Sequence, residues 1–196
     1  KLNNMADFAT SPSDLKEKED DFISDKDLEV YFGAGVQKKI LKYSEIDPYE
    51  DIREVLPEEK DFVIILLENR PDSGHWVLLI RDNNLIEYFN SYALFPSEEL
   101  NLNTDAINKS LNQKVKHLNQ LLRKAVRDGF EVIYNKEKFQ SFDSNIATCG
   151  KHVILRLIMF LENNLDLEKY IRFMNILKNK LGMTSDRVVT LLVQKH

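Results

Sequence analysis

The stretch DFVIILLENRPDSGHWVLLIRDNNLIEYFN, residues 61–90, decides the fold class. Phe62 to Leu67 is a continuous β-rich apolar run, the pattern of a strand buried on both faces. Asn69 to Gly74 is a turn by composition, and His75 to Arg81 reads as a second strand. Asp82-Asn83-Asn84 forms a hairpin turn before a third strand, Leu85 to Phe89.

Working outward, Ser91 to Asp105 reads as loop. Leu111, Val115, Leu118, Leu122, Ala125 and Val126 predict one long amphipathic helix, closed by Gly129. Phe130 to Tyr134 is a further strand, and Lys136 to Thr148 a polar loop. Beyond Cys149-Gly150, the residues Val153, Ile154, Leu157, Ile158 and Leu161 make a strongly apolar helix. Two more helices follow around Tyr170–Leu181 and Asp186–Gln194, the last capped by Thr184 or Ser185. Upstream, Leu28, Tyr31 and Phe32 are spaced for a helix behind Ser24 or Asp25, and Gly33 and Gly35 break it. Val36, Ile40 and Leu41 are expected in a second short helix or turn. Residues 1–23, with the charge run Lys16 to Asp21, read as a mobile, solvated N-terminal arm in which Met5 looks like a natural start. Residues 24–196 show no repeat and no linker and are expected to form a single domain. Helices, then strands, then helices predict an α+β fold, with a small mixed or antiparallel central sheet flanked by helices.

The composition sets bounds on function. The chain has 196 residues, 43% of them hydrophobic and 30% charged, enough for a real core and neither disordered nor collagen-like. No apolar run approaches the length needed to cross a bilayer, and the first residues lack a charged-then-apolar signal pattern. Twenty-seven Lys and Arg against 32 Asp and Glu leave a net charge of -5, which argues against nucleic acid as the main partner. The basic residues Lys109, Lys114, Lys116, Arg123, Lys124 and Arg127 read as a solvated helical face. One cysteine, Cys149, rules out intramolecular disulfides, and with four histidines it nearly rules out structural zinc. A reducing compartment and a lone thiol remain. Such a thiol is either a small buried hydrophobe or a nucleophile.

Two placements bear on that choice. With Asp82-Asn83 as the turn, Arg81 pairs with Asn84 and His75 lies directly opposite Asn90, close enough for an imidazole and a carboxamide to hydrogen-bond. The bland alternative is a pair of polar strand-end residues facing water. Cys149 falls in the first turn of the apolar helix, where unpaired N–H groups and the positive dipole end favour thiolate. Gly150 lets another chain segment approach the backbone there.

The order of motifs is more specific than any one of them: G-H-W at 74–76, E-Y-F-N-S-Y at 87–92, F-Q at 139–140 and T-C-G-K-H-V-I-L-R at 148–156. In this the chain resembles the adenovirus maturation protease, adenain, and its relatives the ubiquitin-like-protein-specific proteases. It is most similar to the versions encoded by virophages, Polinton-type elements and large DNA viruses. The resemblance runs from about residue 60 to about residue 160 and implies an adenain-like cysteine protease fold with the nucleophile at a helix N-terminus. It implies further that Cys149 is the nucleophile, His75 the general base and then acid, and Asn90 the residue that orients the imidazole. Gln140 would donate to the oxyanion beside the backbone N–H of Cys149. Trp76 would cover a narrow substrate channel that favours glycine.

The chain departs from the family in two places. Relatives often carry Asp where this chain has Asn90, and the spacer between Gln140 and Cys149 is longer than the common pattern. The longer spacer makes Asn145 the alternative oxyanion donor. His152, His117 and His196 take the bland reading, with His152 facing solvent or bonded to the loop, and Arg156 could meet a carboxylate on a neighbouring element. The expected function is a monomeric cysteine endopeptidase without cofactors. It would cut capsid or other structural precursors at small or glycine-containing sites during virion maturation, in the virion or in a virus factory of the host cytoplasm. The alternatives are a ubiquitin- or SUMO-type deconjugating protease and an inert binding module of the same fold.

Overall fold

The computed structural model describes residues 12–194. In chain order the helices are α1 (Pro12–Glu19), α2 (Asp25–Phe32), α3 (Ile52–Val55), α4 (Pro96–Leu100), α5 (Asp105–Ser110), α6 (His117–Arg127), α7 (Cys149–Leu161), α8 (Leu167–Leu181) and α9 (Ser185–Leu192). The strands are β1 (Ile40–Lys42), β2 (Lys60–Arg70), β3 (Ser73–Asp82), β4 (Leu85–Phe89) and β5 (Glu131–Tyr134). They fall into two compact units, Lys38–Lys136 and the segments on either side of it.

The Lys38–Lys136 unit holds one five-stranded mixed sheet in the order β1-β2-β3-β4-β5. β2, β3 and β4 form the antiparallel meander expected from residues 61–90, while β1 pairs parallel to β2 and β5 parallel to β4. The fold class is α+β with a mixed sheet and helices alongside. On one face, Val63, Ile65, Leu67, Val77, Leu79, Ile86 and Tyr88 share a core with Leu118, Leu121, Leu122 and Ala125 of α6. Those four recur at helical spacing, and each buried leucine contributes about 1.5–3 kcal/mol. Residues of the opposite parity, Ile64, Leu66, Leu78, Ile80 and Phe89, are buried too. That is why the strands read as unbroken apolar runs rather than alternating ones.

Three sequence-based expectations change here. The turn of the β3–β4 hairpin is Asn83-Asn84, with Asp82 paired to Leu85 and Asn83 in the left-handed region at φ 54°. The register is therefore two residues off the expected one, and continuing it places Asn90 opposite Val77, not His75. The predicted long helix begins only at His117, as α6, because Asn112 turns the chain at φ 54° and leaves Leu111 and Val115 outside regular helix; the separate short helices α4 and α5 precede it, α4 within the stretch read as loop. Ile40 and Leu41 form an edge strand rather than a helix. On α6, Lys124 pairs with Asp51 and Asp128.

The other unit is helical. Ser24 caps α2 in a capping box with Asp27, and the helix ends at Gly33 as expected. α7 and α8 both pack on α9, which begins behind the Thr184 cap. Pro12–Glu19, read as part of a solvated arm, is instead the helix α1; it packs on α9 and buries Leu15. Residues 1–11 of that arm lie outside the described residues.

Gly74 tests the meander. A Cβ at this position would lie 1.9 Å from the backbone oxygen of Leu67 on β2. Backbone cannot swing aside as a flexible side chain can, so Gly74→Ala is expected to cost about 1–3 kcal/mol. Thermal unfolding should show the midpoint fall by several degrees; an unchanged midpoint would mean that the two strands do not approach so closely.

Candidate active site

β3 carries His75 on the same face as Val77 and Leu79, near the start of the strand. Its side chain is buried, stacked on Tyr92 with ring centroids 4.3 Å apart. His75 Nε2 lies 3.0 Å from Asn90 Oδ1. The expected pair thus forms although the register differs: the chain leaves β4 after Phe89, and Asn90 reaches His75 as a diagonal neighbour instead of a direct one.

The orientation of the Asn90 carboxamide follows from its backbone partners. Its Oδ1 accepts from the Tyr92 backbone N–H at 2.8 Å, and its Nδ2 donates to the Leu94 carbonyl at 3.0 Å. A backbone N–H can only donate and a carbonyl can only accept, so the oxygen must face His75. His75 Nε2 then carries the proton, and the basic lone pair sits on Nδ1. The backbone of Asn90 is held as well, by a reciprocal pair of hydrogen bonds with the Asn135 side chain at 2.9 and 2.6 Å. That side chain continues the β4–β5 ladder one step past its last paired residues, Tyr88 and Tyr134.

Sequence reading missed one member of this cluster. Glu99, in the first turn of α4, is buried, with Oε2 2.6 Å from Asn90 Nδ2 and Oε1 3.8 Å from His75 Nδ1. Burial pushes its carboxyl up to about 7, against the hydrogen bond from Asn90 that lowers it. The signal was faint: in P-S-E-E-L only one of two adjacent glutamates is needed to cap the helix, and Glu98 does so at the Phe95 N–H.

In the helical unit, Cys149 is the buried first residue of α7. The residue before it, Thr148, occupies the cap position, but its hydroxyl donates to Asp186 and does not cap the helix. Asp186 anchors this corner. Its carboxylate also accepts from the Ser141 backbone N–H at 3.0 Å and from His152 at 3.3 Å. Burial raises the Asp186 carboxyl, but the hydrogen bonds from His152, Thr148 and Ser141 outweigh it and leave it below its ordinary value. Burial lowers His152, which is wholly enclosed, so a neutral ring donates Nε2–H to a carboxylate. The expectation that His152 faces solvent or bonds to the loop is corrected: α7 is buried on all sides from Cys149 to Phe160, and the ring bonds Asp186 of α9 while lying 6.0 Å from the Phe139 ring. His152 Nδ1 has no hydrogen-bond partner among the described residues.

The loop ahead of Cys149 is tied at several points. Gln140 is buried and its Nε2 donates to the Ile146 carbonyl at 3.2 Å. Asn145, the alternative donor, is exposed and folded onto Asp143 through its own backbone N–H and carboxamide. The Ala147 N–H donates to the Glu19 carbonyl at 2.8 Å, and the Lys151 ammonium to the Lys18 carbonyl. Ile23 covers Gly150 so closely that a Cβ there would come within 2.4 Å of it. The close approach expected at Gly150 is made by this N-terminal segment.

Other residues are placed plainly. Trp76 points to the sheet face opposite His75 and is 8% exposed. Arg156 is buried, donates to the Leu165 carbonyl at 3.0 Å and lies over the Tyr170 ring. His117 meets the Ile46 and Tyr49 carbonyls, and His196 lies outside the described residues. Among the described residues no group of His, Cys, Asp and Glu is placed to hold a metal ion, and no helix is long and apolar enough to cross a membrane.

No protein-family model matches the chain. It is 30% identical over 155 residues to "Uncharacterized protein V9" of Sputnik virophage, covering 79% of this chain and 85% of that protein. The chain belongs to the family of this virophage protein. Among solved structures, the C-terminal Ulp1 protease domain in complex with Smt3, the yeast SUMO orthologue, aligns over 91% of this chain and 80% of that chain at 15% identity, with a TM-score of 0.39. The SUMO protease Ulp1 with its catalytic cysteine oxidised to a sulfenic acid aligns over 96% and 85%, at 15% identity and a TM-score of 0.40.

In this relative of the virophage protein, Glu99 makes stability depend on pH in a defined direction. Its carboxyl titrates near 4.5 ordinarily and about 7 in the folded chain, so the folded state holds that proton more tightly. The associated stability is fully present below pH 4.5 and is lost as pH rises through 7, by about 3 kcal/mol. Glu99→Gln lacks this loss. Thermal unfolding of the two proteins should show the variant gaining on the wild type steadily between pH 4.5 and 7. A constant difference across that window would contradict a Glu99 whose burial holds its proton up to about pH 7 and leaves it a carboxylate above that.

Proposed function

We propose that the chain is a cysteine endopeptidase that cuts viral structural precursors, capsid proteins foremost, beside glycine or another small residue during virion maturation. The observation that carries this reading is the His75–Asn90 hydrogen bond, whose polarity puts the basic lone pair on Nδ1. The second support is a cysteine at the first turn of α7, behind a threonine whose hydroxyl is turned away from the helix end. Membership of a virophage family supports the viral setting.

The reaction runs as follows. His75 Nδ1 takes the proton of the Cys149 thiol, and the thiolate attacks the peptide carbonyl carbon. The oxyanion that forms is met by the Cys149 backbone N–H and the Gln140 carboxamide. His75 returns its proton to the leaving amine as the C–N bond breaks, giving a thioester. Water, deprotonated by His75, then attacks the thioester and releases the acid and the free thiol. Asn90 keeps the ring in one tautomer throughout. The enzyme works as a monomer without a cofactor, in the virion or virus factory, where a reducing medium keeps Cys149 a thiol.

The test is to incubate the chain with the major structural precursor of its own virus and to map products by mass spectrometry. Cleavage beside a glycine or small residue is expected, with Cys149→Ala and His75→Ala reduced by a factor of about 10³ or more. Undiminished cleavage by Cys149→Ala would overturn the assignment. Reaction with ubiquitin-type C-terminal probes, without precursor cleavage, would assign the chain to deconjugation instead.

Gln140→Ala should lower kcat by about 10²–10³ with little change in KM, the signature of a lost oxyanion donor. Asn145→Ala should stay within a few-fold of wild type. The reverse outcome would move the oxyanion role from Gln140 to Asn145.

A further inference from the structure

A lone asparagine beside the base poses a chemical question. When His75 accepts a proton its ring carries a full positive charge, and a neutral carboxamide answers that charge poorly. The answer lies nine residues further along, where α4 brings a buried carboxylate behind the same amide. We propose that Asn90 and Glu99 together take the place of a single acid: Asn90 fixes the tautomer of His75, and Glu99, acting through it, is the positioning carboxylate. This rests on the reading of His75 as the base.

The hydrogen bonds explain why residue 90 is asparagine. Its Nδ2 faces three acceptors: Glu99 Oε2 at 2.6 Å, the Leu94 carbonyl at 3.0 Å and the Tyr88 hydroxyl at 3.3 Å. Aspartate would set an oxygen against the carboxylate and the carbonyl, and two carboxylates that close must share a proton. Asparagine instead relays: one end of the amide accepts from His75 Nε2 and the other donates to Glu99. The second oxygen of Glu99 stands 3.8 Å from His75 Nδ1, so the carboxylate addresses the ring through the amide and across space. The buried phenol of Tyr88 on β4 also feels the Glu99 charge, and it is no cation at neutral pH. The ring of His75 on β3 lies 3.8 Å from Glu99 and can carry a positive charge that this carboxylate meets.

The pairing makes the two positions interdependent. Glu99→Gln keeps an oxygen for Asn90 Nδ2 and removes only the charge. Asn90→Asp alone creates the clash of two acids. Asn90→Asp with Glu99→Gln restores one carboxylate and one amide, in exchanged places.

The experiment follows the ring resonances of His75 by NMR across pH in the wild type and these three variants, with precursor cleavage measured in parallel. In Glu99→Gln the pH at which His75 titrates should fall by about one unit, with Nε2 still protonated in the neutral ring. Cleavage should drop about tenfold in Asn90→Asp and return to within a few-fold of wild type in the double variant. An unmoved His75 titration in Glu99→Gln, or a double variant no better than Asn90→Asp alone, would overturn the pairing. A shifted titration in a chain that cleaves no precursor would remove the protease reading and leave the pairing in place. The NMR readout needs no activity, and Glu99→Gln matches the shape of the residue it replaces.

Discussion

The Asn90 carboxamide is the constraint on which the histidine cluster depends. Two backbone groups, the Tyr92 N–H and the Leu94 carbonyl, settle which end is oxygen, and that settles which nitrogen of His75 is protonated. Neither group belongs to a strand; both lie in the turn that follows β4. Their positions follow from the strand end itself, where Asn135 continues the parallel pairing of β4 and β5 with a side chain in place of backbone. A tautomer is thus set by main-chain geometry, which is stiffer than any side-chain contact could be.

The cysteine corner is organised by a different device with the same outcome. Asp186 sits in the first turn of α9, where the helix dipole favours a negative charge. From there it gathers Ser141, Thr148 and His152, which bracket the loop on both sides of Cys149. The carbonyls at the end of α1 take the Ala147 N–H and the Lys151 ammonium, and Ile23 closes over Gly150. α1 therefore does structural work at the start of α7 and is more than a charged extension.

What could be read from the sequence follows the range of the forces involved. Caps, turns and apolar periodicity act over a few residues, and they located the meander, β5, α2 and the three C-terminal helices, including the Ser24 and Thr184 caps. The register of the hairpin turned on whether Asp82 belongs to the strand or the turn, a choice between neighbouring polar residues that no pattern decides. His75 and Asn90 still met, because a shift by two preserves the face and a side chain leaving a strand end can reach diagonally. The late start of α6 was hidden because Asn112 can sit in a helix or take a left-handed turn with little penalty. Glu99 and Asp186 were out of reach: both are ordinary first-turn acids by sequence, and only tertiary contacts turn them inward.

The distribution of buried charge bears on what these clusters are for. Glu99, His152, Asp186 and Lys151 are all buried: Glu99 bonds the amide that holds His75, Asp186 bonds His152 and the Thr148 that precedes Cys149, and Lys151 ties the start of α7 to α1. Apolar side chains of the same volume would make a core at least as stable, since desolvating ionisable groups offsets most of their mutual attraction. Packing alone therefore gives no reason to keep them. Directional hydrogen bonds do: a carboxylate can hold an amide or an imidazole at one angle, where a leucine holds only a volume. Glu99 shows the compromise most clearly, for the burial that raises its carboxyl to about 7 also places it 3.8 Å from the ring it serves. Stability is given up at neutral pH, and a fixed imidazole is gained.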